Sequence, residues 1–477
     1  MSGPPRRPGG GPRRGRREAP RQGRRPPRPR LDGARLTAYD VLDAVTSREA
    51  YANLLLPRLL RERAGDLDER DAAFATQLAY GTLRARGTLD AVLARLVDRP
   101  LGDLDPRVLD LLRLGTHQLL DLRVPAHAAV ATTVDLTRGV VGGGAAGLVN
   151  AVLRKVAAGG GRAAWLERLG GDERQRLALA TDHPGWVVDA WRDALAGCAP
   201  EEGGDELADA LRADNAAPEV HLVARRLART ELVAESGGTP GPWSPYAVRL
   251  AGGDPARVPA VRSGRAAVQD EGSQLAALLL SRAPLDGPDA AWLDVCAGPG
   301  GKAALLAAVR PAGVHLTAAD RSPHRAELVR GALSGEPGTE VLVADGRAGP
   351  WAPGSFDRVL LDAPCTGLGA LRRRPEVRWR RTPEDVAPLA ELQGELLAGA
   401  LAAVRPGGLV AYVTCSPHPA ETVAVVEAAA GREDVEVLPV APLFPDVPGV
   451  ERGRHGQLWP HRHGTDAMFL ALLRRTS

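Results

Sequence analysis

The sequence predicts a multidomain protein: an all-α bundle, a small α+β module and a doubly wound α/β domain. Three observations carry this. Apolar residues recur at three- and four-residue spacing over residues 33–157, the period of helices. From about residue 266, strand-like apolar runs alternate with helical ones, the pattern of a sheet covered on both faces. The 477 residues exceed what a single core holds.

The elements follow in chain order. Residues 1–31 are Arg, Pro and Gly with almost nothing to bury, so a disordered tail is expected. Residues 1–30 carry eleven Arg and one acid, net +10; with +3 overall, the rest of the chain is net −7. Such a tail suits phosphate backbones, or solubility alone. The all-α unit is placed at 32–160, in helices such as "ARLTAYDVLDAV", "ERDAAFATQLAYGTLRARGTLDAVLARLV" and "AAGLVNAVLRKVA", with Pro, Gly and Asp breaks between them. "AAGGGRAA" (157–164) reads as a linker. The α+β module is placed at 165–265, on the helix "HPGWVVDAWRDAL" and the strands "PEVHLVARR" and "YAVRLAG". The α/β domain is placed at 266–477. Its strands are "AAWLDV", "VHLTAAD", "TEVLVAD", "FDRVLLD", "GGLVAYVT" and "MFLALLRR", with helices such as "PLAELQGELLAGALAAV" between them.

Composition excludes several classes. Hydrophobic content of 44% and charged content of 25% are those of a globular protein. No apolar run reaches bilayer length, and the N-terminus lacks the apolar core of a signal peptide, so a cytoplasmic protein with no membrane contact is expected. Four unevenly spaced cysteines form neither a disulfide scaffold nor a CxxC metal knuckle, and no metal is expected.

The chemistry gathers at strand ends. "DVCAGPGGK" (Asp294–Lys302) is a Gly-rich turn between strand and helix, where a nucleotide-like ligand approaches backbone N–H groups. It is neither a P-loop, which needs Ser or Thr where Ala303 stands, nor GxGxxG. Lys302 is one of only two lysines in the chain. Asp320 ends the next strand, 22 residues after Gly298, the place of a ribose acceptor. Asp345 ends the one after it and suits an adenine amino group. With Asp294 and Asp362 these make four strand-end carboxylates and no His cluster, which favours a cationic nucleoside such as S-adenosylmethionine over a triphosphate. Cys365, in Asp362-Ala363-Pro364-Cys365, and Cys415, in Thr414-Cys415-Ser416, each follow a strand on the same rim, 50 positions apart. A thiolate suits the electron-poor C6 of a pyrimidine; adding there makes C5 nucleophilic, helped by a proton donor near N3 such as Asp362. The spacing does not say which thiol attacks. "LRRRPEVRWRR" (371–381) then offers Arg372, Arg373, Arg374, Arg378, Trp379 and Arg380 for phosphates and a stacked base.

"DVCAGPGGK", "LLDAPCTGLG", "RRRPEVRWRR" and "VAYVTCS" resemble the NOL1/NOP2/Sun family of RNA cytosine-5 methyltransferases. "VPAHAAVATTVDLTR" and "AGLVNAVLRKV" resemble the helical RNA-binding domain of the antitermination factor NusB. The two joined resemble the bacterial 16S ribosomal RNA methyltransferase B (Sun/Fmu) group, over essentially all of 33–477. The resemblance implies a NusB-like bundle, a Rossmann-like class I methyltransferase domain, and S-adenosylmethionine held by Cys296, Ala297, Gly298, Pro299, Gly300, Gly301, Lys302, Asp320, Asp345 and Asp362. It implies attack by Cys415, release assisted by Cys365, and 16S ribosomal RNA or an assembling small subunit as partner of a monomeric protein. Two departures stand out: Gly298 and Ala303 replace the family's usual Ala and Thr, and Pro419-Ala420-Glu421-Thr422 replaces Pro-Glu-Glu-Asn. The rival expectations are a tRNA cytosine-5 methyltransferase and a non-catalytic RNA-binding assembly factor, the latter distinguished by failing to bind the cofactor.

Overall fold

The computed structural model describes residues 1–3, 31–198 and 205–477. The expected disordered tail therefore lies, but for its ends, outside the described residues. Six helices build the N-terminal bundle: Gly33–Arg48, Ala52–Glu62, Glu69–Ala94, Pro106–Leu120, Ala126–Val140 and Gly143–Ala158. Acidic caps start three of them. Asp32 accepts from Arg35 N–H at 2.8 Å, Asp68 from Asp71 N–H at 2.7 Å and Asp105 from Arg107 N–H at 3.0 Å. Ala52–Glu62 goes beyond the helices expected from the sequence; it forms although Pro57, which lacks an N–H, sits inside it. Its Leu56 is buried in the bundle core with Leu78, Leu111 and Leu114.

Four further helices, Arg162–Leu169, Glu173–Ala180, Gly185–Ala196 and Glu206–Ala213, precede a small antiparallel sheet. The expected linker thus already contains the start of a helix. The sheet's strands are β1 (Val220–Ala224), β2 (Thr239–Pro240), β3 (Ala247–Leu250) and β4 (Ala266–Val268), in the order β2-β3-β1-β4. β4 reaches to Val268, so the module's sheet extends past residue 265.

The C-terminal sheet has nine strands among the described residues. They are β5 (Ala291–Asp294), β6 (His315–Asp320), β7 (Thr339–Val343), β8 (Phe356–Asp362), β9 (Val404–Thr414), β10 (Val435–Leu438), β11 (Glu451–Arg452), β12 (His455–Gln457) and β13 (Phe469–Arg475). β7, β6, β5, β8 and β9 run parallel; β13 is antiparallel beside β9, and β12, β11 and β10 complete that side. Alternation sorts the strands' side chains onto two faces. Trp292, Leu360 and Ala411 meet the helices Glu271–Arg282 and Gly301–Val309, while Leu293, Val359 and Tyr412 meet Val386–Ala403. The chain steps outward from β5 to β7, then returns to β8 on the other side of β5. That reversal opens a crevice at the carboxyl ends of the strands.

Candidate active site

The glycine turn is shaped by contacts a side chain would block. Past β5 the ladder continues: Val295 N–H donates to Leu360 O and Ala297 N–H to Ala319 O, both at 2.9 Å. Gly298 N–H then donates to Asp320 Oδ2 at 3.1 Å, and a Cβ on Gly298 would lie 2.4 Å from that oxygen. Ser322 N–H holds Oδ1 at 2.8 Å, so Asp320 is fixed at the mouth of the turn. Gly300, at φ +104°, leads into the helix Gly301–Val309 in a conformation other residues rarely adopt. The family's small residue at 298 thus becomes here one with no side chain at all.

Two acids and one lysine sit deeper. Lys302 Nζ donates to Asp362 Oδ2 at 2.7 Å. Burial works against the charged lysine, but Asp362 outweighs it and the pKa of Lys302 is raised. Asp294 is fully buried, and neither of its carboxylate oxygens has a hydrogen-bond partner among the described residues. Burial, then the charge of Asp362, pushes it up to about 8. An orphaned buried acid beside a glycine cradle fits a ligand that carries positive charge. The Cys296 thiol is pushed up by burial and the surrounding carboxylates. Asp345 stands apart. Its carboxylate accepts from Arg347 at 2.7 and 3.0 Å and is held at about 2 by those bonds. A ligand there would have to share it with Arg347.

The two cysteines meet. β8 and β9 are parallel neighbours with Asp362 opposite Val413, so the turns that follow them emerge side by side. Cys365 Sγ lies 3.5 Å from Cys415 Sγ. Gly369 N–H donates to Cys415 O at 2.9 Å, and a Cβ on Gly369 would meet Ala467 O at 2.0 Å. The thiols are unequal. The contact with Cys365, in which either thiol could donate, lowers the pKa of Cys415, with Lys302 and Arg374 assisting against burial and Asp362. The same contact, burial and the charge of Glu421 raise Cys365. The cations Lys302 and Arg374 near Cys415, against Glu421 near Cys365, favour the thiolate at Cys415, a direction that spacing alone lacked.

Glu421 is the residue that sequence reasoning passed over. It is fully buried beneath both cysteine turns and accepts from Thr366 N–H at 2.7 Å and Ser416 Oγ at 2.6 Å. The available signal was its place six residues after Cys415, behind a proline turn.

The basic segment needs a correction. Arg372, Arg378 and Trp379 were expected to face RNA, but they are packed inside the protein. Arg372 is buried and donates to Gly464 O at 3.0 Å, 3.7 Å from both Asp270 and Asp466. Arg378 is fully buried and donates to Asp182 O and Asn215 Oδ1, each at 2.8 Å. Trp379 Nε1 donates to Leu83 O at 2.8 Å, its ring lying over Gly87 of the helical bundle. Arg373 is half-buried and paired with Asp466; Arg380 donates to Val45 O at 3.2 Å and Ala50 O at 2.5 Å. Fork-shaped guanidinium groups cap the backbone carbonyls left bare where three units meet. Arg374 alone of the six is exposed, over the Tyr51 ring.

A parallel sheet closed by an antiparallel strand, a glycine turn with an acidic residue at the next strand end, and a buried acid awaiting a cation define a class I methyltransferase, whose cofactor is S-adenosylmethionine. The family model of the 16S rRNA methyltransferase RsmB/F matches residues 283–474, and that of the NusB family matches residues 32–158. A Mycobacterium tuberculosis protein described as a putative methyltransferase is 52% identical over 460 residues, covering 95% of this chain and 98% of that one. The ribosomal RNA small subunit methyltransferase B of Pseudomonas putida is 34% identical over 455 residues, 92% of this chain and 98% of that one. The solved structure of PH0851 shares the fold, with a TM-score of 0.79 at 22% identity over 93% of this chain and 98% of that one. This chain belongs to the RsmB/F family of RNA methyltransferases, with a NusB-like domain at its N-terminus. The expectations of a helical bundle, a Rossmann-like domain, an RNA methyltransferase and its cofactor therefore hold.

Proposed function

We propose that this protein methylates C5 of a cytosine in 16S ribosomal RNA through a covalent bond from Cys415 Sγ to C6. The observation that carries it is the pair of thiols 3.5 Å apart, beside the Lys302–Asp362 ion pair. Cys415 adds to C6, and electrons move to C5. Lys302 holds Asp362 by Oδ2, leaving Oδ1 for the base at N3. Cys296 to Lys302, with Asp320 and Asp294 as acceptors, would hold S-adenosylmethionine, which when bound would supply an electrophilic methyl group. Once Cys415 is a thioether, Cys365 loses the contact that raised its pKa most, releases its thiol proton to water and, as thiolate, takes the C5 proton. The electrons of that C–H bond restore the C5–C6 double bond, and Cys415 leaves as thiolate. The target base must be unstacked to reach these thiols.

The enzyme works as a cytoplasmic monomer on 16S RNA, free or in an assembling subunit. Bisulfite sequencing of 16S RNA with and without the protein should show one protected cytosine that disappears in Cys415→Ala. Cys365→Ala should accumulate an RNA–protein adduct that survives denaturing electrophoresis. Full activity in Cys415→Ala would sink the mechanism, and protection confined to a tRNA would move the substrate.

A further inference from the structure

We propose that Glu421 is the positioning residue that sets the two thiols against each other and assigns their separate roles. The proposal rests on the mechanism above. Glu421 Oε1 accepts from Thr366 N–H at 2.7 Å and Gln393 Nε2 at 3.2 Å; Oε2 accepts from Thr366 Oγ1 at 2.5 Å and Ser416 Oγ at 2.6 Å. Thr366 immediately follows Cys365, and Ser416 immediately follows Cys415. One carboxylate therefore grips the next residue along from each thiol. Its own backbone is gripped in turn, because Tyr412 OH donates to Glu421 O at 2.7 Å. Gln393 spans the same network, donating to Pro364 O at 2.8 Å.

A fully buried carboxylate is expensive unless its acceptors are filled. Here each oxygen has two donors, so its acceptor sites are filled. If the only requirement were to pack this space, apolar side chains would fill it without a desolvation cost. What the carboxylate adds is geometry and charge at one thiol more than the other. The charged and titratable groups facing Cys365 are Cys415, Glu421 and Tyr412. Those facing Cys415 are Cys365, Asp362, Lys302, Arg373 and Arg374. Tyr412 lies beside Cys365 and is itself pushed up by burial, then by Cys365 and Glu421. The negative charge of Glu421 thus falls on Cys365, and the cations fall on Cys415. That keeps Cys365 a thiol while Cys415 ionises, and it holds Cys365 close enough to act after the adduct forms.

The test is peptide-resolved alkylation of the full-length protein by iodoacetamide at pH 8, without RNA or cofactor. In E421Q the ratio of Cys365 to Cys415 alkylation should rise about tenfold, because the charge that disfavours the Cys365 thiolate is gone. Thr366→Val, which removes one hydroxyl donor and keeps the shape, should give a smaller rise in the same direction. Cys296 reports folding in the same samples: where it stays slow, a changed ratio is local. In methyl transfer, kcat of E421Q should fall about thirtyfold with KM for RNA within about twofold, because a more acidic Cys365 competes with Cys415 for the single negative charge that starts the reaction. A ratio unchanged in both variants, with Cys296 still slow, overturns the proposal. Because alkylation needs no substrate, a failure of the methylation reading would leave this result standing, and the two failures are distinguishable.

Discussion

At the scale of single residues, the site runs on groups placed where they are uncomfortable. Asp294 is raised from an ordinary 3.8 to about 8, chiefly by burial. An acid raised in this way binds a proton in the folded state that the unfolded chain gives up. Stability from it is therefore full below about pH 4 and declines as pH rises toward 8. Denaturant midpoints measured from pH 4 to 8 should fall less steeply in Asp294→Asn than in the natural protein. A cationic ligand beside Asp294 would favour its carboxylate, so the same substitution should also weaken binding of S-adenosylmethionine above pH 8. Gly369 is constrained by space rather than by torsion, since its Cβ would meet Ala467 O at 2.0 Å. Gly369→Ala should cost about 3 kcal/mol of stability and disturb the Cys415 carbonyl that Gly369 holds, read by denaturant unfolding and by loss of adduct. Neither demand was visible in the letters alone. A glycine in "CTGLGA" reads as a turn, and only the return of the chain at Ala467 shows what presses on it.

At the scale of elements, what could be read was whatever repeats. Strand–helix alternation gave the parallel strands and the crevice, and a glycine turn with an acid 22 residues later located the cofactor end of it. The two cysteines were legible as a rim because each follows an apolar run, but their contact depends on β8 and β9 being neighbours. The basic segment was misread for a physical reason: arginine serves a phosphate and a bare carbonyl equally well, and composition does not distinguish them. Its true role makes it a strap from the Cys365 turn to the helical bundle. Gly87 is where the strap lies flat, and a Cβ there would come within 2.2 Å of the Trp379 ring. Gly87→Val should lift the strap while leaving the bundle folded. Trypsin should then cut after Arg380 or Arg381 about tenfold faster, a change equivalent to roughly 1.4 kcal/mol of local opening, and methylation should slow in parallel.

At the scale of the whole molecule, three units meet around that strap. Arg378 reaches Asp182 and Asn215 of the middle region, Trp379 reaches Leu83 of the bundle, and Arg372 stays with the catalytic domain at Gly464. No sequence pattern announces such a junction, because its partners lie 92 to 335 positions away along the chain. The NusB-like bundle and the thiols consequently stand at a set separation. Such a separation predicts a gauge, in which the target base is chosen by its distance from a landmark on folded RNA. Nucleotides flanking the target should then be exchangeable with little loss of methylation. One base pair inserted between landmark and target should abolish it, a contrast that primer extension on a panel of 16S fragments would display directly.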